Sequence, residues 1–159
     1  MFTFTDEERK ALQGWRDNLY ATELPQTSCA LRTEKGFCCL GLYLYCEYEG
    51  SNWEHSGGDS GFFYYLIEED EGEIRKEDAG LPDMEAHRLG LDKWFTAVQE
   101  NGDKSDRTIE SIFIALNDDL YYTFPRIAKE IDYLLEHGNF SPEVLSYFPF
   151  EMRPLNEVD

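Results

Sequence analysis

The 159 residues carry 33 Asp and Glu against 14 Lys and Arg, a net charge of -19, so most of the surface repels a phosphate backbone and direct nucleic-acid binding is disfavoured. Hydrophobic residues make up 42% and aromatics 15%, too much apolar mass for a disordered chain and enough for one domain over 1–159 with a core of its own. No run is long enough to span a bilayer, the N-terminus has no signal-peptide pattern, and four cysteines are too sparse for a disulfide scaffold; the expectation is a cytoplasmic protein with free thiols and no membrane partner.

Thr5-Asp6-Glu7-Glu8 has the form of a capping box with extra acid in the first turn, and Leu12, Trp15 and Leu19 recur at helical spacing before Pro25, predicting an N-terminal helix with that face in the core. Residues 25–37 read as an irregular strand ending in the turn Glu34-Lys35-Gly36, with Gln26 and Arg32 as its notable polar side chains. The run from Lys35 to Cys46 is the most apolar in the chain. A helix starting near Cys38 puts Leu40, Tyr43 and Leu44 on one face and the first-turn amides beside the Cys38 thiol.

Residues 51–61, rich in glycine, read as an exposed loop, and the six aromatic and branched residues from Phe62 to Ile67 as the best strand of the chain. The acidic run from Glu68 to Glu73 belongs on a solvated hairpin tip, with 74–77 returning. A short helix follows from Pro82 to a stop at Gly90; 91–98 fits strand or helix, and 101–106 reads as a polar loop. Ile109, Ile112, Phe113 and Leu116, then Phe124, Ile127, Ile131, Leu134 and Leu135, predict two helices joined by a short turn, and Ser141-Pro142-Glu143 opens a last short one. The second helix of that pair lacks the basic surround of a DNA-reading helix. The tail from about 149 to 159 reads as loosely held. The fold class expected is α+β: a single domain with an N-terminal helix and a C-terminal helical hairpin around a small antiparallel sheet.

Taken together, Trp15, Leu19, Pro25-Gln26, Leu31, the run Gly36-Phe37-Cys38-Cys39-Leu40-Gly41, Leu81-Pro82-Asp83, Leu89-Gly90-Leu91, and Leu116-Asn117-Asp118 with Phe124, Ile127-Ala128 and Ile131 resemble a family. It is that of small, mostly uncharacterised phage and prophage proteins that pair a CCLG motif with a later LND and F-x-x-IA helix. The similarity spans about 15–135; the acidic aromatic stretch 62–77 lies outside it, and Thr27 to Cys29 lacks the basic residue usual after the glutamine. The resemblance implies a phage-type context and no particular reaction.

A thiol at a helix N-terminus is activated by the dipole and free amides, which makes Cys38 the candidate nucleophile, with Gln26 as an oxyanion donor and Asn117 orienting a histidine. None of His55, His87 and His137 falls in a matched motif, and free cysteine is among the most buried residue types, so core thiols are the commoner outcome. The cysteine spacings match no closed zinc site, the acidic run lacks EF-hand spacing, and no dinucleotide fingerprint occurs; no metal and no cofactor is expected. Asn117 and Asp118 suit a helix-ending turn as well as ligand contact. The reading preferred from sequence is a non-catalytic, phage-type inhibitor that binds a host defence protein or its small nucleotide signal, with Gln26, Arg32, Cys38, Asn117 and Asp118 as binding residues. A Cys38 hydrolase or transferase and an acidic nucleic-acid mimic are the alternatives, and self-association stays open.

Overall fold

The computed structural model describes residues 1–154 except 60, 100 and 149, with backbone alone for 99 and 150–154. The fold is α+β, with helices α1 (Asp6–Ala21), α2 (Cys39–Glu47), α3 (Asp83–Arg88), α4 (Ile109–Asp118), α5 (Phe124–His137) and α6 (Pro142–Ser146). The hairpin β1 (Arg32–Thr33) and β2 (Gly36–Phe37) leads into α2. Strands β3 (Trp53–His55), β4 (Phe63–Glu68) and β5 (Ile74–Glu77) form one antiparallel sheet in that order. In the second, β6 (Trp94–Gln99) lies between β7 (Lys104–Thr108) and β8 (Phe150–Pro154).

Local chemistry explains the helices. Thr5 Oγ1 accepts from the Glu8 N–H and Glu8 accepts from the Thr5 N–H, the reciprocal cap expected from sequence. Leu12, Trp15 and Leu19 are buried as the spacing predicts, and α1 packs along α5. α2 does form at the apolar run. It is buried on every side from Cys39 to Leu44 rather than on one stripe, because α1, α4 and the β1–β2 hairpin surround it. The Trp15 indole N–H donates to the Cys39 carbonyl at 2.9 Å, tying α1 to its first turn. Gly41 is required there: a Cβ would stand 1.8 Å from the Leu31 carbonyl oxygen.

Two readings of the sequence are corrected and one left open is decided. Residues 53–55 are not loop but the edge strand β3, whose register comes from pairing Trp53 with Tyr65 and His55 with Phe63. The polar stretch 101–106 contributes Lys104 onward to β7, which pairs residue for residue with β6; its side chains are exposed, so no apolar alternation marks it. The ambiguous 91–98 segment supplies β6. Of the tail, 150–154 pairs with β6, while 149 and 155–159 lie outside the described residues. No helix of the described residues is long and apolar enough to cross a membrane.

Candidate functional site

Gln26 and Asn117, 91 residues apart in the chain, meet beside the start of α2. The Pro25–Thr27 segment lies against β2 through bonds from Phe37 N–H to Pro25 O (3.0 Å) and from Thr27 N–H to Phe37 O (2.8 Å), which aims the Gln26 side chain at the end of α4. Gly36 permits that approach, since a Cβ there would lie 2.2 Å from the Pro25 oxygen. Gln26 Nε2 donates to Asn117 Oδ1 (2.8 Å) and to the Tyr122 carbonyl (2.7 Å). Asn117 Oδ1 also accepts from the Cys39 N–H (3.1 Å), and its Nδ2 donates to the Thr27 carbonyl (2.9 Å) and to Asp118 Oδ1 (2.8 Å). Asn117 is 2% exposed with its amide hydrogen-bonding capacity filled. It does more than end a helix: it fastens the 25–28 segment, α2 and α4 into one rigid floor.

That floor carries a cavity of about 360 Å³ lined by Gln26, Thr27, Ser28, Lys35, Asn117 and Tyr121. The Lys35 ammonium, which belongs to the β1–β2 turn, has no carboxylate partner among the described residues. Tyr121 is 75% exposed and sits at φ 52°, a left-handed conformation that bulky residues rarely adopt and that costs energy to hold. Gln26 has both N–H donors engaged and leaves its carbonyl oxygen free, so it can accept a hydrogen bond but has no donor left for an oxyanion.

Cys38 is the N-cap of α2, its sulfur accepting from the Gly41 N–H at 3.3 Å. Burial outweighs that contact. The side chain is 5% exposed and burial pushes the thiol up to about 12, opposed by the Gly41 and Leu40 amides and reinforced by the nearby Asp118 carboxylate. Cys39 is fully buried and shifted well upward for the same first reason. The histidines are engaged elsewhere: His55 with Glu34, His87 with Asp92, and His137 against the Tyr133 ring.

Arg32 does not line the cavity. Its guanidinium sits among the rings of Phe63 (4.3 Å), Phe37 (5.0 Å), Trp53 (5.5 Å) and Tyr45 (5.8 Å), where it joins the β1–β2 hairpin to α2 and the β3–β4–β5 sheet. The cation at the cavity is Lys35, which the sequence offered only as a turn residue beside Gly36. Ser28 and Tyr121 carried no signal of their own. Of the aromatic and aliphatic run 62–67 only Tyr65 is buried, 5% exposed, and its neighbours are half-buried, so the run is a sheet face partly covered by the core. Among the described residues no group of three or more His, Cys, Asp or Glu side chains is gathered so as to hold a metal ion.

No curated protein matches this chain, and no solved structure does. The pattern of a family described as a domain of unknown function, DUF8296, matches residues 8–135, which is most of the chain and includes Gln26, Cys38, Asn117 and Tyr121; the chain belongs to that family.

Proposed function

We propose that the protein is a non-catalytic binder that takes a small nucleotide-type ligand into the cavity beside the α2 N-terminus. The observation that carries this is one cavity that holds both Lys35, which has no carboxylate partner among the described residues, and the 75% exposed Tyr121, in a chain of net charge -19. A ring of that kind suits stacking on a base, the ammonium suits a phosphate, and Ser28 with the free Gln26 carbonyl oxygen suits a sugar or base edge. At about 360 Å³ the cavity lies near the small end of ligand sites, sized for one nucleotide unit. The resemblance to small phage and prophage proteins supports a host defence signal as the biological ligand and inhibition by sequestration as the role. The Cys38 enzyme is the weaker reading, because its thiol is buried and the Gln26 donors are occupied. The acidic-mimic reading rests on net charge alone.

Melting temperature measured against cyclic dinucleotides, cyclic oligonucleotides and ADP-ribose derivatives tests it. A ligand at 100 times its Kd adds about 2.7 kcal/mol, an easily read shift. The expected result is a shift with one ligand class, lost in Lys35→Gln and Tyr121→Ala while their ligand-free melting temperature is kept. A panel without any shift removes the small-ligand reading.

A further inference from the structure

The N-terminus of α5 is built unlike a helix start that satisfies itself. The first N–H groups of a helix have no intrahelical partner and carry the positive end of its dipole, so an acceptor or an acid belongs there. α1 provides both, with the Thr5 cap and Asp6, Glu7 and Glu8 in its first turn. α5 provides neither: the Thr123 side chain makes no capping bond, the first turn holds no acid, and Arg126 and then Lys129 add positive charge.

This end of α5 opens on a second cavity of about 360 Å³ lined by Tyr122, Thr123, Pro125, Arg126 and Lys129 together with two carboxylates; Pro125 has no N–H, so the first-turn donors are the Phe124 and Arg126 amides. Tyr122 is 3% exposed, yet its hydroxyl has no hydrogen-bond partner among the described residues. A buried hydroxyl left unpaired is costly and uncommon, and the ring that carries it lies under the Arg126 guanidinium, 3.8 Å from the ring centroid. The two carboxylates of the lining are accounted for. Glu130 accepts from the Ser141 N–H (2.6 Å) and hydroxyl (2.9 Å) and so holds the start of α6. Glu143 pairs with Arg126, with side chains 58% and 46% exposed, an arrangement that water leaves worth little.

We propose that this cavity is a binding site for a phosphate-class oxyanion, held by the Phe124 and Arg126 N–H groups, Thr123 and Lys129, with Arg126 turning from Glu143 to the anion and the Tyr122 hydroxyl donating to it. Free orthophosphate and the phosphate group of a larger molecule share this chemistry. The site stands apart from the Lys35 cavity and does not depend on the function proposed for it, although the Tyr122 carbonyl is one of the Gln26 acceptors.

The test is the melting temperature of the full chain in orthophosphate, and separately in adenosine monophosphate, against sodium chloride of equal ionic strength. Orthophosphate near saturation raises it by about 3 °C more than chloride. Tyr122→Phe melts at the wild-type temperature or higher without phosphate, having lost an unpaired hydroxyl, and loses most of the phosphate increment; Arg126→Gln loses it too. Glu143→Gln moves the other way, binding orthophosphate several-fold tighter because Arg126 is released. An orthophosphate shift no larger than that of chloride overturns the proposal, as does a shift that persists unchanged in both Tyr122→Phe and Arg126→Gln. An adenosine monophosphate shift that survives Tyr122→Phe but is lost in Lys35→Gln reports the other cavity, and the orthophosphate arm then decides this one.

Discussion

The starts of α2 and α5 face the same physical problem and meet it in opposite ways. At α2 every contact is internal: the Cys39 N–H goes to Asn117, the Gly41 N–H to the Cys38 sulfur, and the Cys38 N–H to the Leu31 carbonyl at 3.0 Å, all out of reach of water. At α5 the Thr123 side chain makes no capping bond, the first turn holds no acid, and Arg126 is half exposed in its pair with Glu143. A helix N-terminus becomes a scaffold where the chain supplies its own acceptor and a place for an incoming anion where it does not. The candidate thiol lies on the first kind, where burial raises its pKa although it stands at the position that activates nucleophiles elsewhere.

The comparison breaks hardest at Asn117. Asn117→Ala strands the Cys39 N–H in the interior and takes one partner each from the half-buried Gln26 amide and Thr27 carbonyl, and a loss of about 3 kcal/mol is expected from chemical unfolding. A variant within about 0.5 kcal/mol of wild type would show that water replaces the side chain and that the floor is not rigid. Arg32→Ala comes next. Removing a guanidinium from among four rings should lower stability by about 1–2 kcal/mol while leaving ligand shifts at the Lys35 cavity intact. Loss of ligand binding without loss of stability would return Arg32 to the binding set.

Glu110 sharpens the comparison from the start of α4, where an acid in the first turn is usually favourable. Burial, with the Asp83, Glu77 and Asp92 carboxylates nearby, instead pushes it up to about 7, the Leu81 N–H opposing. Its carboxyl therefore binds a proton more tightly folded than unfolded. Protonated in both states below about pH 4.5, the group costs nothing there; the penalty builds as pH rises from about 4.5 to 7 and opposes folding fully above that. Glu110→Gln should thus stabilise by about 1 kcal/mol at pH 8 and change nothing near pH 4, read as melting temperature against pH. Equal stabilisation at both pH values would assign the effect to something other than titration.

The smallest expected effect concerns Cys38. With its thiol held near 12 it should resist iodoacetamide at pH 6 in the folded protein and react only with denaturant present, whereas exposed Cys29 serves as the internal standard. Faster alkylation of Cys38 than of Cys29 would revive the thiol enzyme.

What the sequence determined by itself was local. The Thr5 capping box, the Pro82 and Ser141-Pro142 starts, the Gly90 and Gly138 stops and the apolar period of α4 and α5 are set within a few residues of one another, so a reader of the chain can recover those helices and the strand β4. Tertiary structure decided whatever depends on a distant partner. β3 and β7 are strands only because β4 and β6 stand beside them, and their own residues are too few or too polar to announce it. The same holds for the site: Gln26 and Asn117 were legible as polar residues in unusual places, but that Asn117 would be consumed in holding the floor, that Arg32 would turn into an aromatic nest, and that Lys35 and Tyr121 would face one cavity followed from packing. Hydrogen-bonding capacity and charge are written in the residue type; which partner uses them is settled by which surfaces the core brings together.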